Sequence, residues 1–338
     1  MKKLFIISNE SIYEDSGKFF CDNIDLKSTP EGLNKKFEVN LIARKSSKNR
    51  AFNIELKNTK VYRSIFFYTL EIIKKSFVKD AKYLIISISP YTFIASIFLK
   101  IFGKTPITYL RSDGYEEYKA ILGFLGPLIY HFMFVLTSIT SHFISCREFI
   151  LKGKKGNIVA PSQLDSDWFK ETRDRQIENI KLLYVGRIKV EKGIFSLLNL
   201  IENKNDFSLT IVGGEKNQKI INQNNVHVLN KESNKKDLIK IYDSHDIFIL
   251  PSFTEGHPMA LLESLARNRP VIIFDEIKHV IGNKKGIFVS KRNYESLLKT
   301  INEIKNNYQI IQNEIKKNKL PTNKEFIKEM GNIISNLN

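Results

Sequence analysis

The sequence has 338 residues, 42% apolar and 26% charged, with two cysteines and a formal net charge of +17. That length predicts two domains of about 150–170 residues each, and the composition excludes a disordered or fibrous chain. Cys21 and Cys146 lie too far apart for a zinc spacing and are too few for a disulfide framework, which points to a reducing cytoplasm. The positive charge is spread over both halves, with 26 Lys+Arg against 16 Asp+Glu in residues 1–170 and 27 against 20 beyond. Such a field favours anionic partners: nucleic acid, anionic lipid or phosphorylated small molecules. A Lys/Asn/Ile-rich coding bias, visible in runs such as KKNK, is the competing explanation.

The chain opens on MKKLFIISNESIYED, a basic start followed by a few apolar residues. The apolar part is too short for a signal peptide and reads as a buried first strand. Further strands are predicted in the first half at FEVNLIA (37–43), YLIISIS (83–89), PITYLRS (106–112), HFISC (142–146) and NIVAPS (157–162). The second half repeats the pattern with IKLLYVG (180–186), SLTIVG (208–213), VHVLN (226–230), DIFILPS (246–252), PVIIFD (270–275) and GIFVS (286–290). Apolar strands without alternation, separated by helical spacing, predict parallel sheet buried on both faces. Two such series in succession predict two doubly wound α/β domains. Apolar periodicity stops over 160–178, where the join is expected.

The stretch GFLGPLIYHFMFVLTSITSHFISC (123–146) contains Pro127, His131 and His142 and no unbroken apolar run of about 20 residues, so it reads as a helix followed by a strand. With IFFYTLEIIKKSF (65–77) and YTFIASIFLKIFGK (91–104), it makes the N-terminal half rich in Phe, Ile and Lys, a composition suited to contact with an anionic membrane.

Ligands of open α/β sheets bind beyond the carboxyl ends of the strands, which draws attention to Arg111, Asp113, Arg187, Lys192, Gly213, Gly214 and the segment Thr254–Pro258. LLYVGRIKVEKGI (182–194) is a strand, a turn, and then Arg187 and Lys192 before a helix, an arrangement that suits a phosphate. Taken alone, two cations on a surface loop would mean nothing. In FILPSFTEGHPMALLE (248–263), Gly256 frees the backbone and Pro258 suits the first helical position, so the amides near Gly256, His257 and Met259 face the same site. Leu261, Leu262 and Leu265 are expected to cover the core side, leaving Glu263 on another face. A carboxylate there would repel phosphate but accept hydrogen bonds from a pair of hydroxyls, and Glu255 could serve a second polyol. Two cations for a diphosphate and two carboxylates for two polyols describe a nucleotide sugar.

The Glu, seven residues, Glu pattern of Glu255 and Glu263 resembles the signature of the retaining, family-4 glycosyltransferases of GT-B fold, and VGRIKVEKG resembles the same family's Arg…Lys-Gly motif. The resemblance covers about residues 170–290 and is faint in 1–160. It implies a GT-B architecture: an acceptor-binding Rossmann-like domain over 1–168, a donor-binding one over 169–320, and a terminal helix over 321–338 returning toward the first. It also implies that Arg187 and Lys192 neutralise the donor diphosphate, that Glu263 binds the ribose and Glu255 the transferred sugar, and that Gly256, His257 and Pro258 supply turn and amide contacts. The loop at Asn230 to Glu232 would meet the base. Such enzymes usually need no metal, and no cofactor is expected beyond the nucleoside-diphosphate sugar.

Three features depart from the pattern. Only Gly17 is available where the family often has a Gly-Gly turn after its first strand. His257 stands where an apolar or aromatic residue is frequent, and Asp165 to Asp167 mimic the metal-binding Asp-x-Asp of the other glycosyltransferase fold. Asp113, with Arg111 beside it, is the candidate for the acceptor side; a helix N-cap and a surface arginine are the structural alternatives.

The expected reaction moves a hexose from a UDP- or GDP-sugar to a saccharide or lipid-linked saccharide with retention, at the inner face of a bacterial membrane during assembly of surface polysaccharide, lipopolysaccharide or capsule. Another GT-B enzyme, such as an epimerase, is one rival. A nucleic-acid-binding protein is another, but it would interleave basic residues with exposed aromatics on one element. Here the aromatics fall mostly inside apolar strands, so no nucleic-acid partner is expected.

Overall fold

The computed structural model describes residues 1–170, 177, 179–214 and 224–337. The chain divides into two compact units, one of Met1–Gln163 with Asn323–Asn338 and one of Leu164–Thr322. Of the join expected over 160–178, residues 171–176 and 178 lie outside the described residues.

The first unit contains β1 (Lys3–Asp15), β2 (Lys18–Cys21), α1 (Ile24–Leu33), β3 (Glu38–Ser46), β4 (Phe52–Ile54), β5 (Asn58–Tyr62) and α2 (Ile65–Ser76). It continues through β6 (Lys82–Ile86), α3 (Pro90–Ile101), β7 (Ile107–Leu110), α4 (Gly114–Leu122), α5 (Leu125–Thr140), β8 (His142–Ser145) and β9 (Gly156–Ile158). Seven strands run parallel in the order β5-β3-β1-β6-β7-β8-β9. The order reverses between β1 and β6, as in doubly wound sheets.

The first strand is longer than predicted. Beyond KLFIIS (3–8) it continues through the mostly polar NESIYED (9–15) and turns back into β2, pairing Tyr13 with Phe20 and Asp15 with Lys18. Gly17 sits at the tip of this hairpin, not in a loop directly after the buried strand. Polar residues continue the strand because its outer half pairs with β3, up to Tyr13 with Ser46, on one side and with β2 on the other, so hydrogen bonding supports it beside the single fully buried apolar side chain of Ile12.

Alternate residues of β1 serve two cores. Phe5 and Ile7 pack with Tyr68 and Ile72 of α2 and Ala95 and Leu99 of α3, whereas Leu4 and Ile6 pack with Leu26 and Leu33 of α1. The final helix of the chain, Asn323–Asn336, joins this second core: Phe326, Met330 and Ile334 are at most 2% exposed. Burial of each contributes about 1.5–3 kcal/mol to holding the helix on this unit. The apolar stretch 123–146 forms α5 and β8, as predicted. Among the described residues no helix is long and apolar enough to cross a membrane.

The second unit contains β10 (Lys181–Val185), α6 (Ile194–Leu200), β11 (Ser208–Gly214), β12 (Val226–Asn230), α7 (Lys235–Asp243), β13 (Ile247–Leu250), α8 (Met259–Ala266), β14 (Val271–Phe274), β15 (Ile287–Ser290), α9 (Tyr294–Asn306) and α10 (Tyr308–Ile315); the helix Asn323–Asn336 is α11. Its six strands are parallel in the order β12-β11-β10-β13-β14-β15. The order reverses at β10 and β13, the two strands whose following turns carry the charged motifs. A ligand crevice is expected there on topology alone.

Candidate functional site

In the second unit the turns after β10 and β13 are clamped together. The Phe253 amide donates to the Glu191 carbonyl at 3.0 Å. Gly193 adopts φ +67°, and a Cβ there would lie 1.8 Å from the Pro251 carbonyl oxygen, so only glycine admits the approach. The clamp brings Lys192 and Glu255 into an ion pair, Nζ to Oε1 at 2.7 Å, although 63 residues separate them. Buried Ser252 donates to the same carboxylate oxygen at 2.7 Å. The Glu255 side chain is 10% exposed and that of Lys192 21%. An ammonium has three donors, so the bond to Glu255 leaves two for an anion.

Arg187 leaves the end of β10 into solvent. Its carbonyl accepts from the buried Tyr184 hydroxyl at 2.8 Å, while its side chain is exposed and has no carboxylate partner among the described residues. α8 begins at Met259 with Pro258 as its cap residue, one position later than predicted. No side chain caps α8, whereas Asn234 caps α7 and Asn293 caps α9. The first-turn amides of α8 therefore lack a side-chain acceptor, and the positive end of its dipole is uncompensated. Gly256 and His257 are half-buried in the turn and Pro258 is buried beneath it. Leu261, Leu262 and Leu265 face the core at 1–3% exposure, as the spacing predicts.

Glu263, half-buried one turn into α8, accepts a hydrogen bond from the Tyr242 hydroxyl at 2.9 Å. Burial and the adjacent Glu263 carboxylate hold Tyr242 well above the usual phenol range, so it remains a donor. The segment after β12 is anchored by the Lys231 amide to the Gly214 carbonyl and by the Asn234 amide to Glu232 Oε1 at 2.6 Å.

Asp165 and Asp167 both bind the Lys235 ammonium, and Asp167 also pairs with Lys170 at 2.7 Å. The hydrogen bonds from Lys170 and Lys235 pull Asp167 down to about 2. A lysine on α7 thus joins these carboxylates, giving the triplet a role in fixing the segment before β10.

In the first unit Asp113 is the N-cap of α4, accepting from the Tyr115 amide at 3.0 Å, and it also pairs with Lys152 at 2.7 Å. Arg111 is no surface arginine. It is ion-paired with Glu10 and, at 3.7 Å, with Asp25, while Asn23 and Gln163 hydrogen-bond the same two carboxylates. The surface-arginine alternative is therefore corrected: Arg111, just after β7, reaches Glu10 within β1 and Asp25 in the first turn of α1, two acids that no local motif announces.

Residues 167–320 match the family model described as "Glycosyl transferases group 1". This segment belongs to the group 1 glycosyltransferases. Among curated relatives, the capsular polysaccharide biosynthesis glycosyltransferase CapM of Staphylococcus aureus is 24% identical over 158 residues, covering 43% of this chain and 42% of that protein. The O-antigen biosynthesis glycosyltransferase WbnH of Escherichia coli is 33% identical over 100 residues, 28% of each. The chain spans at most about half the length of the curated relatives it matches. Among solved structures, Anabaena HepE in complex with UDP and glucose aligns over 100% of both chains with a TM-score of 0.72 at 12% identity. The fold is that of the GT-B glycosyltransferases.

The group 1 unit also holds residues that no motif singles out. Arg292 is sandwiched between the rings of Phe253 and Phe274, 4.3 Å from each centroid, and donates to the Pro251 carbonyl at 3.0 Å and to Glu276 at 2.8 Å. His279 donates from Nε2 to the Glu255 carbonyl at 2.6 Å. Both brace the turn carrying Glu255 from elements that follow it in the chain. An isolated arginine in KRNYE carries no sequence signal for this task.

Proposed function

We propose that the chain is a retaining glycosyltransferase that moves a hexose from a UDP- or GDP-sugar to a saccharide or lipid-linked saccharide acceptor. The observation that carries this reading is the clamp of the β10 and β13 turns, which sets Lys192 against Glu255 beside exposed Arg187 and uncapped α8. Arg187, Lys192 and the first amides of α8 would hold the diphosphate, with backbone contacts from Gly256, His257 and Pro258. Glu263, oriented by Tyr242, would accept the ribose hydroxyls. Glu255, held by Ser252 and Lys192, would face the transferred sugar. The bond from the anomeric carbon to the phosphate oxygen breaks, the acceptor oxygen bonds the same face, and the acceptor proton passes to the departing phosphate. Asp113 in the first unit is proposed as the polar group for the acceptor. The names of CapM and WbnH support a place in bacterial surface-polysaccharide assembly, and the basic, apolar first unit supports work at the inner membrane face.

A donor screen by thermal shift tests this reading. At one hundred times Kd a bound nucleotide sugar contributes about 2.7 kcal/mol, a rise of about 5–10 °C for a unit of this size. No rise with any UDP- or GDP-sugar, and no slow hydrolysis of any, would reject it.

Transfer should also survive EDTA, because Arg187, Lys192 and the α8 terminus supply the positive charge on the diphosphate. Abolition by chelation with rescue by Mg²⁺ or Mn²⁺ would return Asp165 and Asp167 as metal ligands.

A further inference from the structure

The large exposed apolar side chains of the first unit are concentrated on one side of its sheet. α1 and α11 cover one face; α2, α3 and α5 cover the other, with α3 against both α2 and α5. On that outer surface Phe66, Phe67 and Phe77 of the α2 segment, Phe124 of the α4–α5 turn, and Leu128 and Phe132 of α5 are each 60–82% exposed. Ring contacts tie the helices together here: Phe77 meets Phe102, which follows α3, at 5.1 Å in a tilted arrangement, and Phe132 meets Phe93 of α3 edge to face at 6.0 Å. α5 is apolar on both sides, burying Tyr130, Met133 and Phe134 inward and presenting Leu128, Phe132 and Ile139 outward. A helix apolar all round normally has something on both faces, and a patch of this extent marks an interaction surface.

The charges on these helices select the partner. Across α2, α3 and α5 the only acid is Glu71, which is buried and ion-paired with Lys60 at 2.9 Å. Lys74 and Lys100 are exposed at the C-terminal ends of α2 and α3, while exposed Glu116 and Glu117 lie in the first turn of α4, away from Phe124. A second copy of the chain meeting this face about a twofold axis would bring Lys74 and Lys100 against the same lysines, with no exposed acid on α2, α3 or α5 to pair them and Asp80, three residues after Phe77, at the edge. An anionic bilayer has no such conflict: apolar side chains enter the interface while lysines reach headgroup phosphates.

We propose that the outer face of α2, α3 and α5, with the α4–α5 turn, lies on an anionic lipid bilayer, the helices parallel to its plane. The inference deepens the membrane part of the functional reading and does not depend on the transfer chemistry.

The test is co-sedimentation of the full chain with phosphatidylcholine vesicles with and without phosphatidylglycerol. The wild-type protein should bind the anionic vesicles, weakly or not at all the neutral ones, and lose binding as salt shortens the screening length. Phe66→Ser, Phe67→Ser, Leu128→Ser and Phe132→Ser combined should lower the partition coefficient on the order of 100-fold. Ile310→Ser, at a side chain 66% exposed in the second unit, should change nothing. Lys74→Glu with Lys100→Glu, which alters no apolar contact, should independently weaken binding by more than tenfold. Vesicle binding unchanged in both sets of variants overturns the proposal, as does a wild-type protein that binds no vesicles but forms a dimer broken by the serine substitutions. Donor hydrolysis without vesicles reports separately on the glycosyltransferase reading.

Discussion

Glu255→Gln should lower kcat by about 10²–10³-fold with donor affinity nearly intact, and Glu263→Gln should do the reverse, raising KM. The two carboxylates differ in what they face in the proposed reaction. Positive charge grows on the sugar as the glycosidic bond breaks, so the Glu255 charge is worth most in the transition state, and loss of one such preorganised group typically costs this much. Ribose hydroxyls are unchanged throughout, so Glu263 contributes equally to ground and transition states. Its substitution costs about 1.5–3 kcal/mol of donor binding.

The structure adds a condition to each variant. Gln at 263 still accepts from the Tyr242 hydroxyl, so the protein should fold normally. Gln at 255 leaves Lys192 without its counter-charge, but Lys192 is 21% exposed and can reach water, which limits the loss of stability to about 1 kcal/mol. Calorimetric donor titration beside steady-state rates separates the cases. If Glu255 governs affinity and Glu263 only turnover, the two assignments are exchanged; if neither substitution matters in a folded protein, neither glutamate serves the donor.

Gly193→Ala is the second large effect. The left-handed φ of +67° costs an L-residue about 1–2 kcal/mol, and the new methyl would stand 1.8 Å from the Pro251 oxygen, which is backbone and cannot swing away. The β10 turn must separate from the β13 turn, breaking the Phe253–Glu191 hydrogen bond and drawing Lys192 from Glu255. We expect a loss of at least about 3 kcal/mol, a fall in Tm of about 6–12 °C for the second unit, and collapse of donor binding in whatever protein remains folded. Gly282→Ala is the control. Its φ is +57°, but the nearest atom to a new Cβ is the flexible Lys284 Nζ at 3.5 Å, so only the backbone strain applies. Equal Tm losses at the two sites would show that the turn-to-turn approach does not matter.

Much of this architecture is legible in the chain order of residue types. Parallel strands are buried on both faces, so LLYV, LTIV, IFIL and VIIF read as uninterrupted apolar runs and become β10, β11, β13 and β14. The candidate donor residues are legible for a related reason. Turns at the carboxyl ends of such strands need glycine, and a helix start needs proline or a cap, so Arg187, Lys192 and Glu255 to Pro258 stand out against an apolar background. The family resemblance adds their roles.

What the sequence does not contain is which turn meets which. The Lys192–Glu255 pair depends on β10 lying beside β13, and strand order is a property of the whole sheet. Arg111 meets Glu10, and Lys235 meets Asp165 and Asp167, only because residues from distant parts of each unit converge on one place. The Asp165–Asp167 triplet looks like a metal motif by spacing; the cation beside it comes from α7, 68 residues beyond Asp167. Asp113 is similar: its residue type fits an acceptor site or an N-cap equally, the Tyr115 amide it caps is local, and only the fold supplies Lys152 beside it. Local sequence therefore determined the buried parallel strands that read as apolar runs and the candidate donor residues, because each follows from short-range periodicity and turn chemistry. The outer half of β1 and the short β2, β4 and β5 carry no such run and are set by their pairing. The tertiary structure alone decided which charges pair, because an ion pair requires a distance of a few ångströms that only the packed sheet order sets.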